Sequence, residues 1–288
     1  MHTFVQAALS GLLMGGVYAL IGVGLTLIFG VMQVINFAHG DLVMVGMYAA
    51  WLMFSRLHID PFISVWLTAP LLFGLGVVMQ RVFIQRVQRA AAENQILLTI
   101  GLGLLLSNTA MLLFTSDYQI LTTSYSSASF KVFGVSISKA LLFAFVVAVV
   151  MAGALYVFLM KTDTGQAIRA TAQDREAAQL MGINVGRTSA LAFGIGAALA
   201  GVAGTLVAPS YYIYPQVGHA FNLKSFVIVV LGGMGSVVGA TVGGMLVGLI
   251  ESLSALYLPA GLKESVVFGL FLLLLLFRPS GLLGRARV

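Results

Sequence analysis

The sequence predicts an all-α fold: a polytopic transmembrane bundle of about eight apolar segments, with one or two helices broken or re-entrant. Three observations predict it. Of the 288 residues, 60% are hydrophobic and only 8% are charged. Soluble domains carry roughly 25% charged residues, so a soluble fold of this length could not cover its surface. The apolar residues come in continuous runs near the ~20 residues a helix needs to cross ~30 Å of hydrocarbon. A membrane β-barrel would alternate apolar and polar positions instead. Finally, the basic residues cluster, as the loops on the cytoplasmic face of a membrane protein do.

Taken in order, the uncharged blocks fall at about 4–28, 42–55, 62–80, 95–115, 140–160, 188–209, 225–250 and 265–277. The opening "MHTFVQAALS" lacks the basic n-region of a cleaved signal peptide, so the first block is expected to be a retained span. Arg81, Arg86 and Arg89 form the first basic group; Lys161, Arg169, Arg175 and Arg187 the second; Arg278, Arg285 and Arg287 the third. The positive-inside rule puts all three on the cytoplasmic side. The net charge of +6 is thereby assigned to loops, and no nucleic-acid partner is expected. With no cysteine, disulfides and thiolate metal sites are excluded.

Between the first two groups lie two blocks, 95–115 and 140–160, joined by "TTSYSSASF", which then faces outside. Between the second group and the tail lie three blocks, an odd number that would strand the tail arginines outside. One block must therefore be split or re-entrant: either "VLGGMGSVVGATVGG" breaks at Gly232–Gly235, or the short 265–277 run does not cross. Three blocks also precede Arg81, so either the N-terminus lies outside or a helix breaks at Asn36–Gly40. "NFAHG" and "GGMGS" thus occupy corresponding places in the two halves, an arrangement open to an inverted repeat, as in many transporters.

Gly235, Gly239 and Gly243 recur every fourth residue, Gly244 and Gly248 repeat the interval, and Gly11 and Gly15 do so in the first block. Such spacing lines one helix face with bare backbone and predicts close helix packing, with a passage lined by backbone as the alternative. The stretch "GHAFNLKS", 218–225, has Leu223 where a phosphate loop needs glycine before the lysine, and neither HExxH nor GxSxG occurs. Enzymatic chemistry is not expected of this chain.

The longest polar stretch, Thr162 to Arg187, is rich in helix formers. Thr162, Asp163 or Thr164 would cap its start and Gly182 would end it. It reads as a helix, either lying solvated on the bilayer or docking a cytosolic partner. In "VINFAHGDLVMVG", 34–46, Asn36 follows Ile28 with no hydrophilic loop between. A polar group in hydrocarbon is costly unless partnered. An interfacial position is one reading. The other is a helix break at Asn36, His39 and Gly40 bordering a substrate pathway, with opened helix ends for a zwitterion and Phe29, Val31, Ile35 and Phe37 for an apolar side chain.

Four stretches, "GLTLIFGVMQVINFAHGDLVMVGMYAA", "GQAIRATAQDREAAQLMGINVGR", "LGGMGSVVGATVGG" and "LLFRPSGLLG", resemble the LivH-type permeases of ABC transporters for branched-chain amino acids, in the expected order and over nearly the whole chain. The resemblance implies one permease domain over 1–288 with a cytoplasmic coupling loop at about 161–187, in a bacterial plasma (inner) membrane. It implies a second related permease subunit, two cytosolic ATPases that bind ATP and magnesium, and an extracytoplasmic amino-acid-binding protein; this chain itself would carry no cofactor. Glu176, Ala177, Ala178 and Gly182 match the EAA-x₃-G coupling pattern of importer permeases, and Gly165 and Arg169 lie in the same stretch. The Leu-Pro that often follows elsewhere is absent. Urea and short-amide permeases share the Ala-His-Gly core, and Phe37 leans toward the amino-acid branch. A stand-alone secondary transporter would need intramembrane acids, for which only Asp41 and Glu251 are candidates.

Overall fold

The thirty-one residues from His2 to Met32 carry no Asp, Glu, Lys or Arg and form α1. In the computed structural model the described residues are 2–88, 90–123, 125, 128–132, 135–259, 262–278 and 280–283. Arg89, Arg285 and Arg287 of the basic groups lie outside them. The chain leaves α1 through Gln33, at φ 56°, and α2 begins only at His39, running to Leu57. Asp60 caps the next helix, its carboxylate accepting from the Phe62 N–H at 2.8 Å, with Pro61 in the first turn. That helix is α3, Pro61–Met79; it runs through a π-turn at Gln80–Ile84 into α4, Gln85–Val87.

Next comes α5, Ala92–Phe114. The Ser/Thr-rich link after it carries a small antiparallel hairpin, β1 Ser129–Val132 and β2 Val135–Ser138, the one departure from an all-α fold among the described residues. The described elements that follow are helices: α6 Lys139–Lys161, α7 Asp163–Gln173, α8 Arg175–Leu180, α9 Val185–Val207, α10 Val217–Gly232, α11 Val237–Tyr257 and α12 Lys263–Phe277. Among the described residues six helices, α1, α3 with α4, α5, α6, α9 and α11, are long and apolar enough to cross a membrane.

One cavity brings together Gln33, Gln88, Gln95, Gln173 and Arg175. The end of α1, the end of α4, the start of α5 and the α7–α8 region therefore share one end of the bundle, the basic end. The α10–α11 turn lies there too, because Gly235 faces Gly30. At the other end the Tyr125 hydroxyl donates to Asp60 at 2.8 Å and Gln119 bridges to Ile213. This settles the odd count of apolar blocks. The 225–250 block is two helices broken at Gly233–Ser236, so α9, α10, α11 and α12 make four passes and return the tail to the basic end. Before Arg81, α1, α2 and α3 make three passes, and the chain starts at the end opposite the arginines.

The helix pairing is symmetric under exchange of the halves. α1 packs on α11 and α9 on α3, while α2 meets α10. Exchanging α1, α2 and α3 for α9, α10 and α11 reproduces the same set of pairs with opposite chain direction, which is the pattern of an inverted repeat. Glycine makes the closest of these contacts. Gly11 and Gly15 meet Gly244, Gly248 and their neighbours across α1 and α11. Gly239 and Gly243 meet the carbonyls of Gly232 and Ile228 across α11 and α10. Gly235 does not share that contact. It sits in the turn at φ +88°, and an added Cβ would find nothing closer than 3.9 Å.

The two glycines should therefore respond differently. In Gly239→Leu the new Cβ would fall inside van der Waals contact with the Gly232 carbonyl oxygen. Overpacking against backbone costs about 1–3 kcal/mol or more. A drop of several degrees in the detergent melting temperature is expected, and an unchanged value would rule out the contact. Gly235→Ala carries only the conformational penalty of a positive φ, about 1 kcal/mol, and should melt closer to the parent chain.

Candidate functional site

Between α1 and α2 the six residues Gln33–Ala38 are not helical, although they run beside α5 inside the bundle. Backbone at this depth must find partners within the protein. Asn36 supplies two: its Oδ1 accepts from the Ala38 N–H at 3.1 Å and its carbonyl accepts from the His39 N–H at 3.2 Å. The Thr99 hydroxyl on α5 donates to the Ile35 carbonyl at 3.3 Å. His39, fully buried, places Nε2 at 3.0 Å from the Ile21 carbonyl, about three helical turns short of the end of α1. A carbonyl only accepts, so His39 carries its proton on Nε2. α2 thus begins well inside the bundle.

α10 begins at the same depth. The Gly40 N–H donates to Asn222 Oδ1, and Asn222 Nδ2 donates to Asp41 Oδ2 at 3.0 Å. A Cβ on Gly40 would collide with the Gly218 carbonyl and the Asn222 backbone, and a Cβ on Gly218 would collide with Asp41. Gly103 of α5 leaves the room that the Asp41 carboxylate fills. Two half-helices, α2 and α10, therefore point their N-termini at one another in the middle of the bundle. Each end carries a partial positive charge. Asp41, 1% exposed and in the first turn of α2, supplies the opposing charge, and the Asn222 amide ties the two ends together.

The candidate pathway residues Asn36, His39 and Gly40 meet in this junction. All three are buried and engaged with protein groups, and neither of the two larger cavities is lined by them. Those cavities, about 400 and 790 Å³, open at the basic end.

The candidate coupling residues lie at the same end, but not on one helix as the sequence analysis expects. The chain breaks at Asp174, whose carboxylate accepts from the Glu176 and Ala177 N–H groups at 2.9 Å and so starts α8 anew. An Asp capping the next turn competes with helix continuation, which composition alone underrates. The two helices differ in exposure: Ile168 on α7 is buried, whereas Leu180 on α8 is 88% exposed. Thr162 does cap α7, accepting from the Gly165 N–H at 3.0 Å. Gly165 packs on the backbone of Phe158 and Leu159, and Arg169 Nε donates to the Leu159 carbonyl at 3.0 Å, so α7 is folded back on the end of α6. Glu176 and Ala177 are exposed and Ala178 is buried. Gly182 ends α8 at φ +84°, where an L side chain is strained although space is open around it.

Sequence reading missed a third group. Lys224 Nζ lies 2.8 Å from Glu251 Oε1 and 3.1 Å from the Tyr18 hydroxyl, and Lys263 lies 3.6 Å from the same carboxylate oxygen. Asn222 and Lys224 sit in "GHAFNLKS", which was weighed only for phosphate binding. The available signal was position: these polar residues precede the second break as His39 and Asp41 follow the first.

The family model for branched-chain amino acid transport system permease components matches residues 7–276. The chain is 35% identical to the permease protein BraD of Pseudomonas aeruginosa, a high-affinity branched-chain amino acid transport system component, over 100% of this chain and 98% of that one. It is 34% identical to the permease protein LivH of Escherichia coli over 99% and 97%. It is 27% identical to the permease protein LivM of Salmonella typhimurium over 94% and 68%. No solved structure matches it. A match of this length, on a bundle with both breaks in place, makes the chain a member of the branched-chain amino acid transport system permease family.

Proposed function

We propose that this chain is the membrane-spanning permease of an ABC importer for leucine, isoleucine and valine, in a bacterial plasma membrane. The observation that carries the reading is the full-length similarity to BraD and LivH, permeases of high-affinity branched-chain amino acid transport systems. Its similarity to LivM supports pairing with a second, related permease. In the proposed assembly the basic end is cytoplasmic. Two ATPases that bind ATP and magnesium dock on α7 and α8, through Gly165, Arg169, Glu176, Ala177, Ala178 and Gly182. A binding protein delivers substrate at the opposite end. Asn36, His39, Gly40 and Asn222 form the junction whose opening and closing turns ATP hydrolysis into access from alternate sides.

The ion-coupled alternative is disfavoured by the same geometry. Asp41 is held by Asn222, and Glu251 is held by Lys224 and Lys263. The decisive experiment reconstitutes the chain in proteoliposomes with its partner permease, ATPases and binding protein and measures radiolabelled leucine uptake. ATP-dependent uptake is expected. Uptake driven by an ion gradient without ATPases, or uptake of urea and not leucine, would overturn the reading.

Coupling gives a further expectation. Gly182→Leu should insert and assemble normally, because nothing lies within 4 Å of its Cβ position. The strain of a side chain at positive φ, of order 1–3 kcal/mol, falls on the exposed end of α8. Transport should fall at least several-fold at unchanged expression, and normal transport would remove Gly182 from the coupling surface.

A further inference from the structure

The 790 Å³ cavity at the basic end is not part of the helix-end junction. It lies between the ends of α1 and α6, the coupling helix α7 and the α10–α11 turn. Its lining is mixed. Leu27, Val31 and Met160 are apolar. Arg169 and the head of α11, where Val237 and Val238 follow the capping Ser236, line it as well. The first N–H groups of a helix have no intrahelical acceptor, and the dipole there favours an anion. Arg169 is held in place by its bond to the Leu159 carbonyl. Among the described residues no carboxylate lines the cavity. The Thr26 hydroxyl, on a residue only 1% exposed, lines it and has no hydrogen-bond partner among the described residues.

We infer that this cavity holds the phosphate headgroup of an anionic phospholipid, with Arg169 and the α11 N-terminus on the phosphate and the upper acyl chain along Leu27, Val31 and Met160. Charge and apolarity side by side are what a lipid offers and a small soluble anion does not. Position favours the lipid as well. Tyr156 and Met160 on the rim belong to α6 and are 47% and 39% exposed, so the cavity opens beside a membrane-spanning face. The basic end is where the positive-inside rule places the leaflet facing the cytosol, whose anionic lipids attract basic side chains. The lipid would join α7 to the turn that starts α11, and so tie the ATPase-facing helices to the broken helix.

The test is native mass spectrometry of the purified permease complex titrated with phosphatidylglycerol and, separately, phosphatidylcholine. The parent complex should retain phosphatidylglycerol about fivefold better, the ratio expected for one basic side chain near a charged headgroup. Arg169→Gln should abolish the preference. Because Arg169 also holds α7 to α6, a second variant keeps the outcome decisive. Gly30 lines the cavity, and a Cβ there meets nothing closer than 3.6 Å. Gly30→Leu should fold, intrude on the cavity and weaken phosphatidylglycerol retention with every charge in place. Undiminished retention of the lipid by Gly30→Leu overturns the inference. So does complete displacement of the lipid by millimolar inorganic phosphate or by leucine, either of which would make this a soluble-ligand site. None of these readouts requires transport, so the inference and the assigned substrate stand or fall separately.

Discussion

Gly40→Val is expected to abolish leucine uptake in the reconstituted importer while leaving ATPase subunits bound. The added Cβ would be driven into the Gly218 carbonyl and the backbone of Asn222. Both obstacles are main chain, so neither can turn aside as a side chain would. The N-termini of α2 and α10 would have to separate, breaking the bond from Gly40 N–H to Asn222 and unseating Asn222 from Asp41. A buried polar group left without a partner costs about 1–3 kcal/mol, and this change endangers several at once. The helices α7 and α8, proposed to dock the ATPases, lie at the far basic end and should be untouched. Asn222→Leu reaches the same bonds without the clash and should reduce uptake strongly but not completely. Uptake by Gly40→Val above half the parent rate would show that the junction does not have to close for transport.

How much of this was legible beforehand divides along a physical line. Both helix breaks could be read as candidates, because polar or glycine-rich clusters within apolar runs are rare and costly in hydrocarbon. The odd count of apolar blocks did not choose between a break at Gly232–Gly235 and a 265–277 run that fails to cross, nor between a break at Asn36–Gly40 and an outside N-terminus. Gly182 as a helix stop was legible because positive φ selects glycine. The break at Asp174 was not, since aspartate is ordinary in a polar helix and only its capping bonds to Glu176 and Ala177 mark the end. Contacts across the halves were also hidden. Nothing local announces that Asn222 meets Gly40, 182 residues away, or that Lys224 finds Glu251. The sequence showed Gly235, Gly239 and Gly243 as one stripe; the structure separates a turn residue from two packing residues.

The buried pair between Lys224 and Glu251 should show the second large effect, and an asymmetric one. The side chains of these residues are 12% and 10% exposed, within a bundle that offers little water. Removing one partner of a buried pair costs about 3–5 kcal/mol, because the other charge is left uncompensated. Here the two losses are unequal. After Lys224→Met, Glu251 still has Lys263 at 3.6 Å to approach. After Glu251→Leu, the Lys224 ammonium keeps the Tyr18 hydroxyl at 3.1 Å and the Tyr18 ring, 5.1 Å from its centroid, but no longer has the carboxylate at 2.8 Å.

Glu251→Leu is therefore expected to lower the melting temperature of the assembled permease more than Lys224→Met does. The double variant Lys224→Met with Glu251→Leu should recover much of the loss, since replacing a whole buried pair by apolar groups of similar volume is often neutral. Thermal unfolding of the three variants in one detergent forms a double-mutant cycle and isolates the pair from its surroundings. Equal losses in the single variants would mean that Lys263 does not stand in for Lys224. Additive losses in the double variant would mean that the two side chains are not coupled, and the 2.8 Å contact would then carry no stability. Uptake measured on the same three proteins separates stability from transport: a double variant that melts like the parent but no longer transports would place the pair, which joins α10 to α11 beside α1, in the transport cycle itself.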